Sequence, residues 1–449
     1  MMLLFLFSVA ATSLSPLARF VAPRLGLLLR ERGYDAKTVG ERLVGRSDLL
    51  APTVLVKRRV ERAKPVVIAD AVDALIVLFV LGLEVPTSKL DLELLCALRD
   101  SDAVVVNCEL ARATCALVPV GDLVLRTDFA PPRDNCPATE SPVMYIGPDS
   151  AALVGAIGLL NVTGKRVLDL CAGSGVQGLA ALSRGASYCL AIEREHRAAT
   201  FATYNARLNR DTLFSSHRTA TTTHPEEATT PSREMSFDVV LANPPFVAVP
   251  PSLRYDVFAD GGPNGEAVVE SVVRAAHLAL KDDGLLAIVL EVNGSPQDLA
   301  RRLIKWWDDE SSMKNNTRTT SSFLRCAVVA EGSNDNRGNN SSSSSPVPQT
   351  TTSAQVADRR GGSFHRERWL QNLNDQGISS VRNGFIFATP RRRRQEGYLD
   401  SSHHLDDHEI RVFYAARLWA PPPCCNAESQ EAVSAALRWL REGPSTYSS

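Results

Sequence analysis

The chain has 449 residues, more than one hydrophobic core needs, so we expect two domains with additional segments. Hydrophobic residues make up 44% and charged residues 22% of the sequence, which excludes a mainly disordered chain, a coiled coil and a polytopic membrane protein. Lys and Arg total 49 against 50 Asp and Glu, so the formal net charge is −1 and any surface for nucleic acid must be local.

The first acidic residue is Glu31, and the stretch before it opens with an apolar run too short to span a bilayer. This acid-free segment, which contains Arg and Ser, predicts a targeting presequence over residues 1–25 that directs the protein to a plastid or mitochondrion. The alternative is an ordinary N-terminal helix of a cytoplasmic protein. In that case the leucines pack on the body of the molecule: Leu25, Leu27, Leu28 and Leu29.

Residues 26–130 predict a smaller, mostly helical domain. Apolar residues recur at helical spacing over 72–79 and stop at Gly82, and a second helix is expected over 89–99. Helices followed by a small hairpin resemble a winged-helix module, and the lack of a basic run favours packing or substrate holding over nucleic-acid binding. The β-like runs lie at residues 103–106, 115–120 and 123–127.

From Tyr145 onward strands and helices alternate, which predicts a doubly wound α/β sheet in a domain over residues 140–390. The expected strands are residues 167–170, 187–192, 237–241 and 284–291. The expected helices are residues 178–183, 196–208 and 267–280.

Three stretches rich in Ser, Thr, Asn or Arg interrupt this rhythm or follow it, namely residues 215–235, 310–363 and 391–408. None has an apolar face to bury, so we expect disorder there and a mostly disordered or peripheral tail over 391–449. Structure is expected to return at 369–373 and 384–388, within the same sheet. The four arginines at 391–394 are typical of a solvated tail, with contact to RNA phosphates as the alternative.

The nine cysteines contain no C-x-x-C pair and have no nearby pair of histidines. This pattern predicts free thiols in a reducing compartment and no metal site.

A glycine-rich segment runs from Asp169 to Gly178, after a predicted strand and into a predicted helix. Its glycines permit a tight turn and a close approach of the backbone to a ligand. The segment also satisfies G-x-G-x-x-G, the fingerprint of dinucleotide-binding proteins. Glu193 lies 20 residues after Gly173, at the end of the next strand, where a carboxylate can accept two ribose hydroxyls.

Two features favour another nucleotide-derived ligand. Asp169 lies inside the strand, where dinucleotide enzymes keep an apolar residue, and a buried carboxylate is costly unless it is paired. It suits a cationic ligand such as a sulfonium or an α-amino group. Asn243 and the two prolines after it follow the strand 237–241, so a rigid amide lies at the edge where open α/β sheets bind ligands.

These residues resemble motifs of class I S-adenosylmethionine (SAM)-dependent methyltransferases, with further matches at 145–150 and 260–265. The Asn-Pro-Pro-Phe box is similar to that of enzymes that methylate planar amino nitrogens. They include adenine-N6 and guanine-N2 nucleic-acid methyltransferases and the release-factor glutamine methyltransferases. The layout also resembles the "methyltransferase small domain" type, and the resemblance covers residues 26–300 and 365–390.

The resemblance implies a Rossmann-like methyltransferase sheet with SAM as its cofactor. The glycine loop would bind the methionine part of SAM and Glu193 its ribose, while Asn243 and a proline carbonyl accept hydrogen bonds from the target NH2 and Phe246 stacks on it. The implied catalytic residues are Asn243, Pro244, Pro245 and Phe246. The implied cofactor-binding residues are Asp169, Cys171, Ala172, Gly173, Gly175, Glu193 and Asn243.

One departure concerns the strand that the family usually shows between the Glu193 helix and the box. Here residues 209–236 are rich in Thr and Ser, with at best a remnant at 212–214, so the adenine contacts stay open. The loop at 260–265 is either a flexible turn or part of the substrate site. Trp306, Trp307 and Trp369 are expected to be packing residues.

The sequence therefore predicts SAM-dependent N-methylation of a planar amino group. The favoured substrate is a base in RNA. The alternative substrate is a protein glutamine, as in a release factor, and the near-zero net charge keeps it in contention. From other classes, a NAD-dependent oxidoreductase is disfavoured by Asp169 and the proline box, and a non-catalytic binding subunit by the intact Asn243. Neither a metal nor stable membrane insertion is expected.

Overall fold

The computed structural model describes residues 14–46, 48, 50–52, 67–130, 142–209, 218–222, 236–313, 322–332, 350–392, 410–415, 418 and 427–442. Within these residues, no helix combines the length and the apolar character that a bilayer crossing requires.

The N-terminal region folds as helices and short antiparallel strands, as the pattern predicts. Its helices are α1 (Pro16–Glu31), α2 (Ala36–Val44), α3 (Ala71–Ile76) and α4 (Leu92–Asp100). A π-helical turn (Val77–Leu81) continues α3 up to Gly82, which has a φ of 73°, and a 3-10 turn (Thr87–Lys89) precedes α4. Its strands are β1 (Val85–Pro86), β2 (Val104–Asn107), β3 (Leu110–Ala113), β4 (Ala116–Val120) and β5 (Leu123–Thr127). The first three form one sheet in the order β1-β3-β2, and the last two form a hairpin.

The remaining elements form one large sheet with helices on both faces. Its strands are β6 (Arg166–Leu170), β7 (Tyr188–Ile192), β8 (Arg218–Thr222), β9 (Phe237–Ala242), β10 (Leu280–Asn293), β11 (Ser322–Glu331), β12 (Thr351–Thr352), β13 (Ser380–Arg392) and β14 (Ile410–Ala415). Its helices are α5 (Pro148–Ile157), α6 (Val176–Ser183), α7 (His196–Leu208), α8 (Ala267–Ala279), α9 (Pro296–Met313), α10 (Ser353–Asp375) and α11 (Ala427–Glu442).

The strand order is β14-β11-β13-β10-β9-β6-β7-β8, and β12 pairs with β13. Strands β6 to β10 are mutually parallel, whereas β13 runs antiparallel to both β10 and β11. From β6 the chain moves outward through β7 and β8, then crosses back to β9 on the other side. This confirms the doubly wound fold and places its switch point between β6 and β9, where such sheets bind ligands.

Each face of the sheet buries an apolar cluster. One joins α5, α6 and α11 to the sheet and the β4–β5 hairpin, and the other joins α8 and α9, with Trp307 fully buried. Trp369 is also buried, in a smaller cluster with Val247 and Val249, and Trp306 packs half-buried. The three tryptophans are therefore packing residues, as predicted.

The expectation of disorder over 215–235 is wrong for residues 218–222, which form the edge strand β8 beside β7. Threonine is β-branched and favours strands, although its polarity makes the segment look like low-complexity sequence. The strand that the family pattern requires is therefore present as β8. The predicted remnant at 212–214 lies outside the described residues.

Two further expectations of disorder need correction. Within 310–363, β11 is a strand of the main sheet whose residues 324–330 are mostly buried, and α10 begins at Ser353. Within 391–449, β14 extends the sheet beyond β11, and α11 buries Trp439 against it. The polar composition concealed these short apolar runs. Residues 310–313 also belong to α9, residues 351–352 form β12, and residues 391–392 end β13. Residues 314–321, 333–349, 393–409, 416–417, 419–426 and 443–449 lie outside the described residues.

Residues 16–25, part of the predicted presequence, form the first half of α1. Ala18, Ala22 and Leu25 are buried there, and the helix packs along α7 so closely that a Cβ on Gly26 would lie 1.8 Å from the Leu208 carbonyl oxygen. Of the four leucines expected to pack, Leu27 is 43% exposed and the others are buried. Targeting by residues 1–13, outside the described residues, stays a prediction.

Candidate active site

The predicted site residues follow three neighbouring strands at one edge of the sheet. Leu170, the last residue of β6, pairs with Ile192 of β7 and with Ala242 of β9. Because these strands are parallel, the residues that directly follow them lie side by side at the carboxyl edge of the sheet. The sheet therefore brings the glycine loop, Glu193 and Asn243 together.

The glycine loop is built from three residues in the left-handed region. Cys171, Gly173 and Gly175 have φ values of 57°, 55° and 81°. A Cβ on Gly175 would lie 3.1 Å from the Cβ of Ala202, and one on Gly178 would lie 2.6 Å from Cys189 Sγ. The glycines thus serve both the turn and the close packing of α6 on the sheet.

Asp169 is fully buried beneath this loop. Its Oδ2 accepts a hydrogen bond of 2.8 Å from the Gly178 N–H, and its Oδ1 has no hydrogen-bond partner. Burial raises the pKa of Asp169 to about 7, and the charge of Glu193 adds to the rise. A half-satisfied buried carboxylate of this kind is stabilised by a cationic ligand.

Glu193 orders the same loop from the end of β7. Its Oε2 accepts from the Gly173 N–H at 2.7 Å and its Oε1 from the Glu195 N–H at 2.8 Å, and burial raises its pKa. A carboxylate accepts about four hydrogen bonds, so capacity remains for ribose hydroxyls.

The residues present fit SAM. Gly173 has no atom within 4 Å of the position that a Cβ would take, so the loop leaves an open cradle there. The unpartnered Oδ1 of Asp169 belongs to the same group of residues and suits a ligand with a positive charge. Cys171 and Ala172 form the turn between the two carboxylates, and their contact with the cofactor stays what the resemblance implies.

Asn243 is held in one orientation by the start of α5. Its Nδ2 donates to Asp149 Oδ2 at 2.8 Å and to Ser150 Oγ at 3.1 Å. A carboxylate can only accept, so Nδ2 faces Asp149 and Oδ1 faces the other way. Within the described residues, Oδ1 has no hydrogen-bond partner, and it is therefore available to accept an N–H from a ligand.

Asp149 and Ser150, which hold Asn243, are candidate site residues to which the sequence pattern assigned no role. They lie in the segment that resembles the family, in the first turn of a helix that begins with a proline. Burial raises the pKa of Asp149, and the hydrogen bond from Asn243 opposes that rise.

The loop at 259–265 forms a fixed wall beside the box. Val247 N–H donates to the Ala259 carbonyl at 2.9 Å, and Val249 N–H donates to the Gly262 carbonyl at 2.9 Å. Gly265 has a φ of 76°, and a Cβ there would lie 2.5 Å from the Phe246 carbonyl oxygen. These hydrogen bonds join the loop to the segment that follows the box, which argues against a flexible turn at residues 260–265. Pro244 is buried, whereas Pro245 and Phe246 are half-buried.

Beyond this wall lies a charged and aromatic group that the sequence analysis missed. Arg360 of α10 forms an ion pair with Glu291 of β10, and its guanidinium lies 5.6 Å from the ring centre of Trp369. Tyr255 contacts the edge of the same ring. Three or more His, Cys, Asp or Glu side chains in metal-binding geometry do not occur among the described residues.

Comparisons with known proteins agree with this geometry. Residues 152–253 match the family model described as conserved hypothetical protein 95, a family of SAM-dependent methyltransferases. The match spans the glycine loop, Glu193 and the box. No curated protein matches the chain.

Many solved structures match the chain. Trm5b of Pyrococcus abyssi is 11% identical over 64% of this chain and 62% of its own, with a TM-score of 0.34. YcgJ of Bacillus subtilis is 15% identical over 54% of this chain and 98% of its own, with a TM-score of 0.31. The 16S rRNA N2 methyltransferase RsmC of T. thermophilus, in complex with AdoMet and guanosine, is 17% identical over 51% of this chain and 58% of its own, with a TM-score of 0.28.

Proposed function

We propose that this chain, a class I SAM-dependent methyltransferase by its catalytic sheet and its family match, methylates a planar amino nitrogen of an RNA base. The observation that carries the proposal is the orientation of Asn243. Its Nδ2 is bound by Asp149 and Ser150, which leaves Oδ1 as an acceptor at the carboxyl edge of β9.

An exocyclic amino group is a poor nucleophile because its lone pair is delocalised into the ring. Asn243 Oδ1 and the Pro244 carbonyl accept its two N–H bonds, which orients the nitrogen and localises its lone pair. The two prolines hold these acceptors in place, since they restrict the backbone on either side. Phe246 is half-buried and offers a ring face for stacking on the base, the usual way in which proteins hold an unpaired base.

When bound, SAM would supply an electrophilic methyl group on a sulfonium, whose sulfur can leave as a neutral thioether when the amino nitrogen takes the methyl group. The extra proton on the nitrogen then passes to water. Asp169 and the glycine loop would hold the methionine part and Glu193 the ribose. Transfer of this kind depends mainly on positioning of the two reactants.

Two measurements test the proposal. Calorimetric titration should give a saturable heat with S-adenosylhomocysteine and none with NAD, and the opposite result would favour an oxidoreductase. Transfer of a labelled methyl group should modify total RNA, and digestion to nucleosides should recover the label on an amino nitrogen. Label that enters release factors and leaves RNA unmodified would instead favour glutamine methylation.

A further inference from the structure

We infer that a cavity beside the candidate site binds a backbone phosphate of the RNA substrate. This inference rests on the proposed function and adds a substrate subsite to it. The cavity has a volume of about 130 Å³. Its charged and amide lining comes from Glu291, Glu331, Arg359, Arg360, Arg382 and Asn383.

The cavity opens at the same sheet edge as Asn243. It lies among the ends of β10 and β11, the beginning of β13 and the first turns of α10. Because β13 runs antiparallel, it begins at the edge where β10 and β11 end. Neighbouring strands lie ~4.8 Å apart and β13 is two strands from β9, so the cavity is on the order of 10 Å from the box. A nucleotide that flanks a base bound at Asn243 can reach it.

Positive charge exceeds negative charge in the lining. Three guanidinium groups face two carboxylates, of which Glu291 pairs with Arg360 and Glu331 accepts from Asn383 Nδ2 at 2.6 Å. Within the part of the chain that the structure describes, the side chains of Arg359 and Arg382 make neither an ion pair nor a hydrogen bond. The positive end of α10, whose N-cap is Thr352, adds to this field.

Two guanidinium nitrogens at the cavity are buried and have no hydrogen-bond partner among the described residues: Arg360 Nη1 and Arg382 Nε. Leaving a buried donor without a partner is costly, and more so when the donor is charged, so such atoms indicate a missing acceptor. Arg360 is also held in place by Glu291 and the Trp369 ring. A fixed guanidinium fork is the group that recognises phosphate oxygens best.

The size and the remaining polar atom also suit RNA. A cavity of about 130 Å³ is large enough to admit one phosphate group. Glu291 Oε2 is buried and lacks a donor. The 2′-hydroxyl next to an RNA phosphate supplies a donor, and DNA has no such group.

Fluorescence anisotropy with a random-sequence single-stranded RNA 20-mer tests the inference, with the DNA 20-mer in parallel. Arg382→Gln should weaken RNA binding about tenfold, the value of one charge-assisted hydrogen bond. The dependence of log Kobs on log salt should become shallower by about 0.7, as for one lost phosphate contact. Arg368→Gln removes the same charge from an exposed position of α10 outside the cavity and is the matched control. Equal effects of the two variants would overturn the inference.

S-adenosylhomocysteine binding should be unchanged in both variants, which shows that each is folded. Glu291→Gln should reduce the preference for RNA over DNA. If the wild-type protein binds S-adenosylhomocysteine but no RNA, the RNA part of the proposed function fails by itself. Calorimetry with inorganic phosphate then decides the cavity: heat that disappears in Arg382→Gln supports an oxyanion site, and no heat in either protein refutes it.

Discussion

Two regions of this molecule use buried asparagines in opposite ways. On α7, Asn205 and Asn209 lie one helical turn apart and face the backbone of β5. Asn205 accepts from the Arg126 N–H at 2.7 Å and donates to the Arg126 carbonyl at 3.0 Å, and Asn209 makes the same pair with Val124 at 2.9 and 2.8 Å. Each amide therefore accepts one backbone hydrogen bond and donates another, as the peptide groups of a neighbouring strand would.

Asn243 differs because the protein binds only its Nδ2. Asn205 and Asn209 leave nothing for a ligand, whereas Asn243 presents an oriented Oδ1 that no described residue uses. The difference teaches that burial of a polar side chain does not by itself distinguish a structural residue from a functional one. What separates Asn243 from Asn205 and Asn209 is the unused half of its hydrogen-bonding capacity.

Asn243→Ala should have the largest effect. Loss of one preorganised hydrogen-bond partner of the reacting group should lower kcat for methyl transfer to RNA by about 10²–10³-fold. The free energy of unfolding should fall by about 1–3 kcal/mol, because the buried Asp149 carboxylate loses its Nδ2 donor, while affinity for S-adenosylhomocysteine should change little. Rates from a labelled-methyl assay and denaturant unfolding check the two parts. Full turnover in this variant would remove the role that we assign to the box.

Asn209→Ala should instead lose stability and keep its turnover. It leaves the buried N–H and carbonyl of Val124 without partners, at about 1–3 kcal/mol each. We expect a loss of roughly 3 kcal/mol in the free energy of unfolding, on that same principle, with kcat per folded molecule retained. Urea denaturation and an active-site titration measure these quantities. A variant of normal stability with low kcat would contradict the comparison.

Asp149→Ala should give an intermediate effect on catalysis. Without the carboxylate, the amide of Asn243 can rotate and place Nδ2 toward the substrate, so we expect kcat to fall about tenfold, the value of one oriented hydrogen bond. Ser150→Ala removes the longer of the two contacts and should cost less. KM for SAM should stay close to that of the wild-type protein in both. A change confined to that KM would show that Asp149 acts on the cofactor instead.

The smallest effect should be a pH dependence that originates at Asp169. Burial raises its pKa to about 7, so the carboxylate gains its charge between pH 6 and pH 8, and affinity for cationic SAM should rise up to about tenfold over that range. The unfolded state loses this proton near pH 4, so this residue makes the folded protein less stable as the pH rises toward 7. Asp169→Asn should flatten both trends. Calorimetric titrations and thermal unfolding across the pH range measure them, and unchanged slopes in the variant would refute the assignment to Asp169.

The sequence predicts the parts of this site that are local. The glycine loop, Glu193 and Asn243 each directly follow a strand, and the parallel register of the three strands then determines that they meet. The hydrogen bond between Asn243 and Asp149 joins residues 94 positions apart, and no local pattern encodes such a contact.

The outer part of the site could not be predicted because Arg360 lies where polar composition indicates disorder. Helix α10 is mostly polar and contains Gly362 with a φ of 52°, so its helical periodicity is broken. It is stabilised by tertiary contacts of Trp369 and Arg360 that only the folded sheet provides. Strand β8 was not predicted for a related reason. Its threonines pair with β7 by backbone hydrogen bonds that composition does not reveal.

The close packing of α1 against α7 determines when α1 can complete its native packing on the ribosome. Gly26 packs against the Leu208 carbonyl, so this partner of α1 is synthesised about 180 residues later, which takes roughly 10–40 s at ordinary rates of translation. During that time the side of α1 that faces α7 lacks its native cover and is open to chaperones. Substitutions at Gly26 should therefore reduce the yield of soluble protein in cells more than they reduce the stability of the molecules that do fold.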